Sequence, residues 1–151
     1  MRCVVQRSGP ARVEVAGQIT GSIEHGLVVL AGFAPSDTSA ELAWMARKLP
    51  ELRIFKDDEE RMNRSLREVG GAILLVSQFT LYGDCRKGRR PSFVKSAPPE
   101  AARKMYQQFG DLLRAEGITV GEGIFGAMMS VSLVNDGPVT LIIDREAPAH
   151  E

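Results

Sequence analysis

Ser77, Gln78 and Thr80 stand at the polar end of an otherwise apolar run, residues 72–82 (AILLVSQFTLY), and are the first candidates for chemistry. A serine or threonine nucleophile needs a base, and neither hydroxyl lies in a G-x-S-x-G elbow or has a His–Asp relay in this composition. Of the two histidines, His25 lies between Glu24 and Gly26, where a solvated turn is the plain reading, and His150 lies in an Ala/Pro tail. A different chemistry follows from strand geometry. Where a ladder ends, the amides of Phe79 and Thr80 are free to donate to a developing oxyanion, and the side chains of Ser77, Gln78 and Thr80 add hydrogen bonds. The competing reading is a strand that frays into solvent.

A second cluster is ionic. Residues 86–93 (RKGRRPSF) carry Arg86, Lys87, Arg89 and Arg90 around Gly88 and Pro91, and Lys95 follows, with no acid across residues 85–99. The whole chain balances 19 basic against 19 acidic residues, which argues against indiscriminate nucleic-acid binding. A local patch that grips a phosphate backbone remains open, against a merely solvated loop. Tyr82 and Phe93 only flank the patch. Residues 135–138 (NDGP) signal a turn between two strand-like runs. A cis Gly137–Pro138 bond there would fix two carbonyl directions beside a residue with no side chain. Residues 121–126 (GEGIFG) match G-x-G-x-x-G, but strand-like residues follow where a dinucleotide site needs a helix. Small residues at Gly126 and Ala127 instead leave room for a flat ligand beside Phe125. Cys3 and Cys85 lack C-x-x-C spacing, so both are expected as reduced thiols, and neither a metal nor a cofactor is expected.

These residues need a scaffold. At 151 residues, 44% hydrophobic and 25% charged, the chain reads as one globular domain, residues 1–145, with a tail over 146–151. The longest apolar run, residues 26–34 (GLVVLAGFA), is about half a bilayer span, and MRCVVQRSGP has no signal-peptide core, so a cytoplasmic protein is expected, not a membrane protein. Apolar and alternating segments at 2–6, 12–15, 18–23 and 27–33 predict a meander of strands. Thr38 and Glu41 have capping-box spacing, and Leu42, Met45, Ala46 and Leu49 give a helical stripe over 38–49 that Pro50 should end or kink. Pro98 and Pro99 open a second helix whose stripe, from Ala102 and Met105 to Leu113, runs out at Gly117. Residues 118–120, 128–134 and 139–143 return to strands. The expected fold is α+β, a single domain of mostly antiparallel sheets with two principal helices.

SQFTLYG (77–83), RKGRRPSF (86–93) and FGAMMSVSLVNDGPVT (125–140) together resemble the D-aminoacyl-tRNA deacylases, and the similarity extends through MRCVVQR, GLVVLAG, LRIF, RMNRSL and the pair Gly70-Gly71. The resemblance implies a barrel-like core and hydrolysis of the ester joining a D-amino acid to the terminal ribose of tRNA. Glycine mischarged on tRNA-Ala is an implied substrate too. It further implies a homodimer with its active site at the subunit interface. There Gly137 and Pro138 of one subunit enter the other's pocket, capture the substrate's α-ammonium through fixed carbonyls, and leave no volume for an L side chain. Catalysis is implied at Ser77, Gln78, Phe79 and Thr80, assisted by the RNA 2′-hydroxyl. Arg7 would brace the Gly-Pro loop; Phe125, Gly126, Ala127 and Met129 would border the adenosine end; Arg86, Lys87, Arg89 and Arg90 would meet tRNA phosphate. Thr80 as a covalent nucleophile is the alternative mechanism. One departure stands out: Ser8-Gly9-Pro10 follows Gln6-Arg7 where the family usually has a valine, and Pro10 cannot donate to a ladder. Two rival functions stay open on the residues alone: a non-enzymatic tRNA-binding module, and a related editing domain that removes a mischarged L-amino acid.

Overall fold

The apolar run 26–32 becomes the centre of the molecule because it is covered on both faces. The computed structural model describes residues 1–149, so His150 and the end of the expected tail lie outside the described residues. In chain order the elements are β1 (Arg2–Ser8), β2 (Ala11–Val15), β3 (Gln18–Ile23), β4 (Gly26–Gly32), α1 (Ser39–Glu51), β5 (Phe55–Lys56), β6 (Met62–Arg64), α2 (Leu66–Val69), β7 (Ala72–Ser77), a 3₁₀ turn (Phe79–Tyr82), α3 (Pro99–Ala115), β8 (Val120–Glu122), β9 (Ser130–Ser132) and β10 (Asn135–Asp144). The main sheet has five strands in the order β10-β1-β4-β7-β8; a second has three, β3-β2-β9, and β5-β6 form a hairpin. Antiparallel pairs dominate as expected, with β4, β7 and β8 the parallel exception. The sheets are open and do not close into the expected barrel-like core.

Alternation along β4 and β7 divides the interior. Leu27, Val29, Ile73 and Leu75 pack toward Leu42, Met45, Leu49, Phe109 and Leu113 of the helices. Val28, Leu74 and Val76 pack with Ala11, Val13 and Ile23 of the small sheet. Strands buried on both faces have no polar side to show, which is why these read as unbroken apolar runs. Among the described residues, no helix is long and apolar enough to cross a membrane.

Five local expectations change. The helix from Thr38 has its capping box but continues through Pro50 to Glu51, because proline in the last turn costs one hydrogen bond and the chain leaves at Leu52 in extended conformation. The run 72–82 leaves the ladder after Ser77 and coils into the 3₁₀ turn. Asn135 to Pro138 is not a hairpin turn between two strands. It is a bulge within β10, whose pairing with β1 jumps from Gln6↔Thr140 to Ser8↔Asn135. Strand 128–134 shrinks to Ser130–Ser132, and the strand expected at 118–120 shifts to Val120–Glu122. The Ser8-Gly9-Pro10 departure leaves β1 intact, since Ser8 still pairs with both Gly26 and Asn135 and Gly9 N donates to Val134 O at 3.0 Å.

Candidate active site

Because β4, β7 and β8 run parallel, their carboxyl ends open on the same end of the main sheet, the position where open sheets of this kind collect ligands. There Gln78 N makes the last bond of the ladder, to Ala31 O at 2.8 Å, and the chain turns. Leu81 N donates to Gln78 O at 3.2 Å and Gly83 N to Thr80 O at 2.9 Å, which closes the 3₁₀ turn. The amides of Phe79 and Thr80 are its first two, so no carbonyl of the turn can reach them, and none of the described residues accepts from them. Gly32 makes the close packing possible, for a Cβ there would stand 3.0 Å from Gln78 O. Arg2 holds the far end: its guanidinium bonds Leu81 O at 3.1 Å while gripping the Asp144 carboxylate.

Thr80 does not have the surroundings of a nucleophile. Its Oγ1 accepts a hydrogen bond from Gln78 Nε2 at 2.5 Å, and among the described residues no basic group hydrogen-bonds to it. His25 lies at the opposite end of β7, where its carbonyl accepts from Ala72 N.

Beside the turn opens a cavity of about 390 Å³. Ser77, Phe79 and Phe93 form one wall; Ser96, Ala97, Pro98, Pro99 and Ala102 form the side toward α3; Phe125 and Gly126 complete it. None of these side chains is ionisable. Phe79 and Phe93 meet edge to face with centroids 5.1 Å apart, and Tyr106, anchored by its hydroxyl to Leu75 O at 2.9 Å, backs Phe125 at 5.9 Å. Ser96 Oγ is buried in the wall without a hydrogen-bond partner. Neither Ala127 nor Met129 lines the cavity; the Met129 side chain packs toward Gly123 and the core of the small sheet. Phe93, set aside above as a flanking residue, is a wall, and its spacing from Phe79 carried no periodic signal that could have revealed the pairing.

A larger hollow of about 800 Å³ surrounds the β5-β6 hairpin, but its charges already answer each other. Arg64 pairs with Asp58 at 2.8 Å and Arg67 with Glu51 at 2.6 Å.

The basic loop leaves the 3₁₀ turn at Gly83 and returns at Phe93, closed by reciprocal backbone bonds between Asp84 and Ser92. Asp84, one residue before the stretch counted above, binds the Arg86 guanidinium at 2.6 Å, and that contact holds its carboxyl far below the usual carboxylate range. Arg86 is thus engaged, whereas Lys87, Arg89 and Arg90 are exposed and have no carboxylate within 4.0 Å among the described residues. On the expectation drawn from the resemblance, that this loop meets tRNA phosphate, replacing all three by alanine flattens the salt dependence of binding, lowering the slope of log K against log salt by roughly 2 to 3. Arg86→Ala should change it less. Binding titrations across a salt series measure both.

Gly137 and Pro138 lie at the other end of the main sheet. Their bulge sits level with Arg7, whereas Ser77 is level with Ala31 and Cys3, four residues further along the strand and three strand spacings away, roughly 20 Å. Both residues are exposed, and the peptide bond between them is cis. Arg7, 3% exposed, runs beneath the bulge: Nε donates to Asp136 O at 3.0 Å and Nη1 to Ile54 O at 2.7 Å. Arg7 thus ties the backbone of the bulge to that of Ile54, but one chain does not bring the bulge to the cavity.

Comparison with known proteins points one way. Residues 4–144 match the family described as D-Tyr-tRNA(Tyr) deacylase. The chain is 60% identical over 146 residues to a D-aminoacyl-tRNA deacylase of Desulfatibacillum aliphaticivorans, covering 97% of this chain and 100% of that one. It is 58% identical over 147 residues to the D-aminoacyl-tRNA deacylase of Acaryochloris marina, covering 97% of each. Among solved structures, the c-Myc DNA Unwinding Element Binding Protein superposes with a TM-score of 0.91 at 38% identity, over 97% of this chain and all 100% of that one. A probable eukaryotic D-amino acid tRNA deacylase shares the fold, with a TM-score of 0.82 at 21% identity over 95% of this chain and 98% of the other.

Proposed function

The chain belongs to the D-Tyr-tRNA(Tyr) deacylase family and is a D-aminoacyl-tRNA deacylase, and on that premise we propose that it sorts substrates by handedness with main-chain groups at a site shared between two subunits. The observation that carries this reading is the pair of unoccupied amides, Phe79 and Thr80, beside a cavity with no ionisable lining. An aminoacyl ester is already an activated acyl group. Positioning and charge stabilisation then supply most of what hydrolysis needs, and one well-placed oxyanion donor is worth about 3 kcal/mol. Ser77 lines the cavity, Gln78 holds the turn and the Thr80 hydroxyl in place, and the ribose 2′-hydroxyl of the RNA assists attack by water.

In this proposal the α-ammonium is met by carbonyls of the partner subunit's Gly137 and Pro138. The 20 Å separation within one chain supports an assignment in trans, and β10 is an edge strand that leaves the bulge uncovered. With carbonyls fixed on one side of Cα, an L side chain would occupy the volume they fill, while a D side chain points outward. Glycine, having no side chain, passes the same filter, so glycine mischarged on tRNA-Ala is a second substrate. Phe125 and Gly126 border the terminal adenosine, the loop cations meet tRNA phosphate, and the reaction takes place in the cytoplasm, where charged tRNA is used.

Parallel deacylation assays with D-tyrosyl-tRNA and L-tyrosyl-tRNA test the reading. Release of D-tyrosine alone is expected, and equal release from both substrates would sink the chiral filter. Thr80→Ala should retain at least about a tenth of the activity, since it removes one side-chain hydrogen bond and leaves the amide donor intact. Complete loss in a folded variant would return the hydroxyl to the role of nucleophile.

A further inference from the structure

Two polar groups at the cavity have no task in the fold. Arg103, an exposed residue of α3, lays its guanidinium over the Phe125 ring, 4.8 Å from the centroid, and its Nη2 would stand 3.8 Å from a Cβ at Gly126. Among the described residues it has neither a carboxylate within 4.0 Å nor a hydrogen-bond acceptor, whereas the next cation on the helix, Lys104, faces Glu100. Ser96 Oγ is the one buried side-chain polar atom of the described residues left without a partner. An unsatisfied buried hydroxyl costs free energy unless something else completes it.

We propose that Arg103 forms a phosphate subsite at the rim of the cavity and Ser96 a polar contact inside it, so that the cavity takes a nucleoside 5′-phosphate and not merely a nucleoside. Resting on the deacylase reading above, this assigns the phosphodiester that precedes the terminal adenosine to Arg103 and the polar edge of the base to Ser96. Charge and shape agree. The walls are aromatic and uncharged, as a base requires, and over Phe125, one of those walls, lies a guanidinium with no acceptor among the described residues. Stacking on Phe125 holds the guanidinium plane in place, which limits the freedom lost when two of its N–H groups engage one phosphate.

Competitive inhibition of D-tyrosyl-tRNA hydrolysis by adenosine and by adenosine 5′-monophosphate, with the full-length protein, tests this. The monophosphate should inhibit about tenfold more strongly than adenosine, since a hydrogen bond to a charged group contributes on that scale. Arg103→Ala should bring the ratio close to one, Arg103→Lys should restore part of it, and Lys104→Ala should preserve it. Ser96→Ala should weaken both inhibitors by the same factor without lowering thermal stability, because it also removes an unsatisfied hydroxyl. Equal inhibition by the two compounds in the unmodified protein, no inhibition by either, or a ratio untouched by Arg103→Ala would overturn the subsite while leaving deacylation standing. Failure of the unmodified protein to hydrolyse D-tyrosyl-tRNA at all would overturn both.

Discussion

Gly137→Ala is expected to lower kcat/KM for D-tyrosyl-tRNA about a hundredfold, the scale on which a displacement of an ångström penalises a preorganised site. The position has φ +132°, where an L side chain is strained, and a Cβ would stand 2.9 Å from Val139 Cγ2 and 3.0 Å from Arg7 Nη2. Val139 can shift, but Arg7 is pinned at two carbonyls, so the bulge must move instead. The stability cost should stay near 1–2 kcal/mol, a few degrees in Tm, because the bulge is exposed and only one residue is strained. Mixing separates a site in trans from one in cis. Ala102→Phe fills the cavity and should be inactive by itself; in a heterodimer with Gly137→Ala, the open cavity of one subunit faces the unmodified Gly137 of the other. Re-equilibrated mixtures of the two inactive variants should therefore recover about a quarter of unmodified activity, from one intact site in half of the dimers. No recovery from folded, exchanging dimers would place the whole site in one chain.

The sequence disclosed those parts of this arrangement that depend on local pattern. The Thr38/Glu41 capping box, the α3 stripe and the unbroken apolar β4 and β7 all stand where their periodicity predicts. The Phe79 and Thr80 amides also lie without an acceptor among the described residues, because the chain leaves the ladder after Ser77 and its donors are released there. What stayed hidden depends on contacts between distant segments. Arg86 read as a free cation because Asp84 stood just outside the charged stretch, and only the Asp84–Ser92 bridge shows them together. Phe93, Ser96 and Arg103 carry no motif and meet Phe79 and Phe125 only through the docking of α3. Met129 belonged by adjacency to the ligand segment, but just before β9 its side chain packs against the small-sheet core. The Asn135 to Pro138 turn signal does not reverse the chain: it forms a bulge within β10, because pairing with β1 resumes on both sides.

The second large effect is expected at Arg7. Arg7→Ala should lower Tm by roughly 6–12 °C, corresponding to about 3 kcal/mol, since it strips donors from Asp136 O and Ile54 O and vacates a buried volume. Activity should fall with it, about a hundredfold at a temperature where the variant is still folded, because the bulge then has nothing beneath it. The two losses have separable causes. Arg7→Lys keeps the charge but offers no planar fork, so it can serve one carbonyl and not both; it should recover part of the stability and little of the activity. The carboxylate of Asp136 is a different matter. It lies 3.4 Å from Arg7 Nε with its side chain 65% exposed, a setting in which an ion pair contributes little. Asp136→Asn should consequently change Tm by no more than about 1–2 °C and leave the Arg7 bond to the backbone in place. If Asp136→Asn proves as damaging as Arg7→Ala, the carboxylate and not the main chain is what Arg7 holds, and the bulge is positioned by charge and not by hydrogen-bond geometry.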